Sequence, residues 1–319
     1  MQYRKIPHVD KEVSRIVLGT GSIYAVKDKN AYFDEVLKLG INTFDMARVY
    51  FGAEDAVGKW LEKSGKRESV VLLSKCCHPS MLGKKRVGAK YILEDFAKST
   101  AQLHTDKIDI YLLHRDDKNV PVGEIVETLN ELHVKNKIGA FGGSNWGFRR
   151  IEEANEYAYK KNLVPFSVSS PHFSLAESVD DIWGGGCVSL SARGKAEERA
   201  WYINNGMPVF AYSSIAGGFF SGKINKERSN IKDVLSKISI KGFVSEENLE
   251  RLSRAEALAA KKGVTVPQIA LSYVLCHTMN VFAVTSSKNA GSLKNNADAL
   301  SIALSEAETK YLNLEIDKI

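Results

Sequence analysis

Four residues of this chain could act together as a proton-donating assembly: Asp45, Tyr50, Lys75 and His114. A phenol is a weak acid at neutral pH, with an ordinary pKa of about 10. It becomes a useful donor to a reacting oxygen only if a nearby cation steadies the phenolate left behind. Lys75 can be that cation, because it follows the apolar run VVLLS (70–74), where an ammonium must be paired or discharged. Asp45 can pair with it, and the cation then predicts a lowered Tyr50 pKa. His114 can orient a carbonyl oxygen or relay a proton. None of the four is an electron source, so a reduction here needs a cofactor as reductant.

Each residue alone has a plainer use. Asp45 could cap a helix, Tyr50 could pack, and His114 could be a satisfied rim histidine. Lys75 could make a rim salt bridge or act as a Schiff-base nucleophile. Their shared placement argues otherwise. Asp45, Lys75, His114, Ser144 with Asn145, Ser169, Tyr212 and Thr285 each stand at or just beyond the C-terminal end of a different strand-like run. In an α/β barrel, catalytic groups collect at that face.

The elements that must position these residues alternate. Strand-like runs at 15–18, 41–44, 69–75, 108–113, 138–143, 165–169, 208–212 and 281–284 are separated by helical patterns. Those patterns cover 31–39, 53–61, 89–103, 121–136, 149–161, 194–204, 245–262 and 266–276, and a closing helix over 305–314 starts on a Ser305/Glu308 capping box. Gly40 stops the first helix and Pro121 opens the fourth. A hairpin precedes the first run. Eight such repeats predict an α/β fold, a (β/α)8 TIM barrel forming a single domain over 1–319, with long loops at its C-terminal face. An open doubly wound sheet competes, but Gly19, Thr20 and Gly21 are followed by Ser22, Ile23 and Tyr24, so the dinucleotide fingerprint is absent. The segment 171–191 is longer than barrel closure needs and reads as a lid or a disordered loop.

Composition narrows the setting. The chain has 319 residues and is 44% hydrophobic, enough to bury a large core. Its net charge of +6 comes from Lys and Arg interspersed with Asp and Glu, a solvated surface rather than a nucleic-acid footprint. No signal-like apolar region opens the chain and no run approaches the ~18 apolar residues of a membrane span. The four cysteines lack framework spacing, which with the absent signal predicts a reducing cytoplasm. Cys76, Cys77 and His78 lack the second pair that would complete a metal shell, so no metal is expected. Neither a nucleic acid nor a membrane is expected as a partner, and the oligomeric state stays open.

At these residues the chain resembles the aldo-keto reductase family over nearly its whole length. The block NTFDMARVYFGAE (42–54) is similar to the family's Asp-Thr-Ala-x-x-Tyr-Gly-x-x-Glu pattern, LLSK (72–75) to its lysine strand, and DIYLLH (109–114) to its histidine strand. The resemblance implies an eight-stranded barrel, an extended NAD(P)H, and Tyr50 as general acid. It assigns cofactor contacts to Gly19, Thr20, Gly21, Asp45, Ser144, Asn145 and Ser169. Within AYSSIAG (211–217) it assigns Tyr212, Ser213, Ile215 and Gly217. Near the C-terminus it assigns Thr285, Ser286, Ser287, Lys288, Ser292, Asn295 and Asn296. The family's usual Gln is Ser169 here, and an arginine common before Leu293 is Ser292. Lys288 can still meet a 2′-phosphate as a point charge, which favours NADP (NADPH) with NAD as the alternative.

The expected partner is a small-molecule carbonyl substrate, walled by Tyr24, Phe51, Arg115, Trp146, His172 and Trp183. Charges near the rim (Arg48, Arg115, Asp116, Asp117) hint at a sugar-derived aldehyde or ketone, unless they are merely solvated. The stretches 169–175 and 181–186 depart from the better-known steroid and aldose reductases, so their substrates are not carried over. Two other functions compete: a Schiff-base aldolase-type barrel using Lys75, and a non-catalytic nucleotide-sensing partner like the reductase-shaped subunits of ion channels.

Overall fold

Alternation along eight short strands decides the architecture. In the computed structural model, which describes residues 1–319 except 182, 184 and 192, these strands are β1 (Ile16–Gly19), β2 (Thr43–Asp45), β3 (Val71–Cys76), β4 (Ile108–Leu113), β5 (Ile138–Ser144), β6 (Val168–Ser170), β7 (Val209–Ala211) and β8 (Val281–Thr285). They pair in sequence order, all parallel, and β8 closes back onto β1. The expected TIM barrel is therefore the observed one. A two-stranded hairpin of Tyr3–Arg4 and Val13–Ser14 precedes it.

One face of the strands fills the barrel. Val17, Val71, Leu73, Ile110, Leu112, Ala140, Val168, Phe210 and Phe282 form that interior together with Ile6 and Val13 from the hairpin region. Phe210 and Phe282 stack with centroids 4.9 Å apart. The opposite face packs against the helices in a second, larger core that includes Phe33, Phe44, Trp60, Phe141 and Phe166. Burying both faces is what lets parallel strands read as nearly continuous apolar runs.

The surrounding helices are α1 (Lys29–Lys38), α2 (Ala53–Ser64), α3 (Ala89–Leu103), α4 (Val122–Val134), α5 (Phe148–Lys160) and α6 (Ala196–Asn204), then α7 (Ile231–Val234), α8 (Lys237–Phe243), α9 (Glu246–Lys262), α10 (Val266–Leu275), α11 (Ala290–Asp298) and α12 (Glu306–Leu312). Their ends follow local chemistry. Gly40 takes φ +81° just after α1, and Ser245 and Ser305 accept N–H bonds at the starts of α9 and α12. Three helices have no counterpart in the pattern reading: α7, α8 and α11. The first two span four and seven residues, too short for an apolar period to show. The third (AGSLKNNAD) is mostly polar, and its start is fixed by the Asn289 side chain accepting from the Ser292 N–H. In the segment 171–191, residues 182 and 184 lie outside the described residues, and the part around His172 is tied down by bridges to Ser189 and Tyr212.

Small residues on β5 let its neighbours come close. A Cβ on Gly142 would lie 1.9 Å from the Val168 carbonyl oxygen, which is backbone and cannot yield locally. Gly142→Ala is expected to cost about 1–3 kcal/mol through overpacking, read as a lower denaturation midpoint. An unchanged midpoint would contradict so close an approach of β5 and β6.

Candidate active site

The interior faces of β3 and β4 continue past the apolar column. Residues 71, 73 and 75 share one face of β3, and 110, 112 and 114 follow the same alternation through β4, so Lys75 and His114 crown the interior formed by Leu73 and Leu112. Asp45 ends the neighbouring β2. Lys75 and Asp45 are both buried, and the Lys75 ammonium donates to Asp45 Oδ1 and, at 3.0 Å, to the Met46 carbonyl. Tyr50 arrives on the loop after β2, and its ring centroid lies 5.3 Å from Lys75 Nζ. His114 stands edge-on to Tyr50 at 5.8 Å, and His78 edge-on to His114 at 4.8 Å. Four side chains spread over seventy residues thus meet at one spot.

The electrostatics differ from the expectation in one respect. Burial is the largest influence on the Tyr50 phenol and raises its pKa; the Lys75 and Arg115 charges pull the other way without overcoming it. The lowered pKa expected from the sequence is therefore corrected to a raised one. The reason is that Lys75 is already engaged by Asp45, so one shared ammonium cannot offset the loss of water around a phenolate. Burial also opposes the Lys75 charge, but Asp45 and Tyr50 beside it lift the ammonium above its ordinary pKa. Burial lifts the Asp45 carboxyl as well, against the pull of Lys75. His114 is held well below its usual value by burial, with Lys75, Arg115 and His78 adding to the effect. Its ring is neutral at physiological pH, and its Nδ1 is buried with no partner among the described residues.

A cleft of about 1640 Å³ leads away from this cluster. Of the expected cofactor contacts, Gly19, Gly21, Asp45, Ser144, Asn145, Tyr212, Ser213, Ile215, Gly217, Thr285, Ser286, Ser287, Lys288, Ser292, Asn295 and Asn296 line it. Asn145 is a hub: its amide donates to Ser144 Oγ (3.1 Å) and its Oδ1 accepts from the Tyr212 phenol (2.8 Å) and the Val188 N–H (3.2 Å). Two expected contacts stand elsewhere. Thr20 turns its hydroxyl to the Asp45 carbonyl (2.8 Å), tying the end of β1 to β2. Ser169 points away from the barrel axis and bonds the Tyr202 phenol of α6 at 2.9 Å. Alternation explains this, because Val168 faces the interior and its neighbour must face the helices.

The expected substrate wall is only partly assembled. Arg115 and Trp183 line the cleft. Tyr24 and Phe51 do not; they are 67% and 87% exposed, out in solvent. Trp146 is buried outside the cleft against Phe166, with the Arg150 guanidinium 5.6 Å from its ring. His172 is buried too, its Nδ1 held by Ser189 Oγ at 2.8 Å and its ring set 5.7 Å from Tyr212. Val49, Lys223 and Lys226 line the cleft without having been expected there, and so does His78, which the sequence offered only as an incomplete metal ligand. His78 carries a usable signal, three residues after Lys75. The two lysines lie in a segment with no motif.

A closed parallel barrel with a buried polar cluster and a long cleft at its C-terminal rim has the build of an enzyme. Residues 15–315 match the Aldo/keto reductase family, and the chain belongs to that family. It is 25% identical to an uncharacterized oxidoreductase, YrpG, of Bacillus subtilis (strain 168), covering 98% of this chain and 95% of the relative. It is 26% identical to the aldo-keto reductase YhdN of the same organism, covering 98% and 93%. A probable voltage-gated potassium channel subunit beta of Arabidopsis thaliana is 24% identical, covering 95% and 92%. The family and its oxidoreductase members here support a carbonyl-reducing oxidoreductase, and the family generally uses nicotinamide cofactors. Among the described residues, no helix is long and apolar enough to cross a membrane.

One buried and one half-buried histidine make an acid-stability prediction. Burial lowers His172 to about 4, and burial with Arg199 lowers His277 to about 4. The unfolded chain protonates these rings near pH 6.5 while the folded protein keeps them neutral. Stability should therefore fall as pH drops from about 6.5 to about 4, by up to roughly 1.4 kcal/mol per pH unit for each ring. Urea midpoints at pH 7 and 5 should fall less steeply in His172→Gln than in the wild type. Equal slopes would contradict a neutral, buried His172.

Proposed function

We propose that the protein reduces an aldehyde or ketone to an alcohol with NADPH, using Tyr50 as the general acid. The observation that carries this reading is the Tyr50 ring set beside a buried Lys75–Asp45 pair, with a neutral imidazole edge-on to it. Burial keeps the Tyr50 hydroxyl protonated until negative charge grows on a carbonyl oxygen nearby. The proton then leaves Tyr50 Oη, and the phenolate that remains faces the Lys75 ammonium. Burying His114 Nδ1 as a lone pair, rather than as an unbonded N–H, puts the ring proton on Nε2 and makes it a second donor for the carbonyl oxygen. A reduced nicotinamide, when bound, supplies the hydride.

The residues along the cleft fit such a dinucleotide. The volume exceeds the roughly 300–1,000 Å³ of an ordinary small-ligand site. Thr285 Oγ1 is buried at its wall without a partner among the described residues. Gly217 and Gly218, at φ +59° and +97°, keep the backbone bare beside it. Lys223, Lys226 and Lys288 line it, and among the described residues none has a carboxylate within 4 Å; the nearby Glu256 is taken by Arg228 at 2.7 Å. Three unmatched ammonium groups suit phosphates and favour NADPH over NADH. A Schiff-base role for Lys75 fits less well, because its charge is held by Asp45 and an amine must be discharged to attack. The channel-subunit name of one relative favours a second reading, a nucleotide-sensing partner without turnover; a single-turnover search for hydride transfer separates the two.

Tyr50→Phe should lower kcat about 10²–10⁴-fold with NADPH affinity, read by tryptophan quenching, almost unchanged. Retained turnover would remove Tyr50 as the acid. Lys288→Ala should weaken NADPH binding about tenfold, near 1.4 kcal/mol, and leave NADH binding alone; equal losses for both would contradict a 2′-phosphate contact.

A further inference from the structure

Buried and half-buried guanidinium groups in this molecule are held in two ways, by carboxylates or by neutral acceptors. Arg251, fully buried, faces Glu177 at 2.5 Å, and Arg150 faces Asp116 (3.4 Å) and Glu153 (2.8 Å). Arg15 is held by the carbonyls of Leu275 (2.8 Å) and Val281 (3.2 Å) and does not line the cleft. Arg115 likewise has only neutral partners among the described residues, but unlike Arg15 it opens onto the cleft. It is 8% exposed and lines the cleft next to His114. Its nitrogens donate to the His114 carbonyl (2.9 Å), the Trp183 carbonyl (3.2 Å) and Cys187 Sγ (3.7 Å), all uncharged. Among the described residues no carboxylate lies within 4 Å of it.

The nearby acids are committed elsewhere. Asp45 serves Lys75, while Asp116 and Asp117, the next two residues along the chain, serve Arg150 and, at 2.9 Å, Lys85. The imidazoles of His78 and His114 are kept neutral, partly by Arg115 itself. A nearly buried charge with only neutral neighbours is costly unless something brings the opposite charge. It faces the space where a carbonyl substrate would sit.

We propose that the substrate is a carbonyl compound bearing an anionic group, a carboxylate or a phosphate, which the Arg115 guanidinium receives while Tyr50 faces the carbonyl. The proposal rests on the reductase reading of this cleft and narrows its substrate class. It adds a negative charge to the sugar-derived aldehyde or ketone suggested by the rim charges. Arg115 is a specificity residue here, since it binds the part of the substrate that does not react.

The test measures kcat/KM with saturating NADPH for matched pairs: 4-formylbenzoate against 4-formylbenzamide, and glycolaldehyde phosphate against glycolaldehyde. The wild type should favour the anion in at least one pair about tenfold or more, and the pair that shows it identifies carboxylate or phosphate. Added salt should narrow the ratio. Arg115→Gln should bring it close to one, and Arg115→Lys should keep part of it. Wild-type protein with no anion preference in either pair overturns the proposal even if the variants do not fold, and so does a preference untouched by Arg115→Gln. If no compound is turned over, calorimetric titration of 4-(hydroxymethyl)benzoate and its amide decides. Binding of the acid alone, lost in Arg115→Gln, keeps the anion site while the reductase reading falls; binding of neither sinks both.

Discussion

The buried contact between Lys75 and Asp45 is the constraint on which the rest of the site depends. Two opposite charges are placed over an apolar barrel interior, where each is tolerable only because the other is present. The Met46 carbonyl takes a further ammonium proton, which fixes the lysine's direction. That direction points the cation at the Tyr50 ring. The barrel supplies the geometry, since β2 and β3 are hydrogen-bonded neighbours whose C-terminal ends lie side by side. Remove the pairing of those strands and the phenol has no cation to lean on.

From that pair outward, charge is distributed unevenly. The centre is balanced: Lys75 by Asp45, with a neutral His114 and a protonated Tyr50. The flanks are not. Arg115 on one side, and Lys223, Lys226 and Lys288 along the cleft, carry positive charge without carboxylate partners among the described residues. The chain's modest net charge of +6 hides this pattern, because elsewhere on the surface cations and anions alternate in pairs. A cleft whose walls carry one sign of charge concentrates anions, and it does so without a basic molecule overall.

How much of this was readable in the sequence follows from what each signal depends on. Strand-end residues were legible because a polar residue closing an apolar run can be seen in one dimension; Lys75 and His114 are examples. Ser169 was misplaced by one residue's alternation. Its neighbour Val168 faces the interior, and only the register of β6 against β5 and β7 tells the two faces apart. Aromatic residues near the rim were the least legible. Tyr24, Phe51 and Trp146 are close to the site in sequence, yet two point to solvent and one is swallowed by the helix layer, since loop direction has no period to read. Lys223 and Lys226 reach the cleft from a loop between β7 and α7, where nothing local announces them. The sign of the Tyr50 shift was missed because burial depth is a property of the assembled barrel.

The central claim is that one buried ion pair, each charge tolerable only beside the other, readies the phenol. A double-mutant cycle of Asp45→Asn, Lys75→Met and the two combined, read by denaturation midpoint and by NADPH-dependent carbonyl reduction, tests it most directly. The account predicts that Asp45→Asn alone costs about 3–5 kcal/mol by stranding a buried ammonium. It predicts that the double substitution recovers most of that loss, and that all three proteins are inactive. A stable Asp45→Asn protein, or a double variant that still reduces carbonyls, would contradict it.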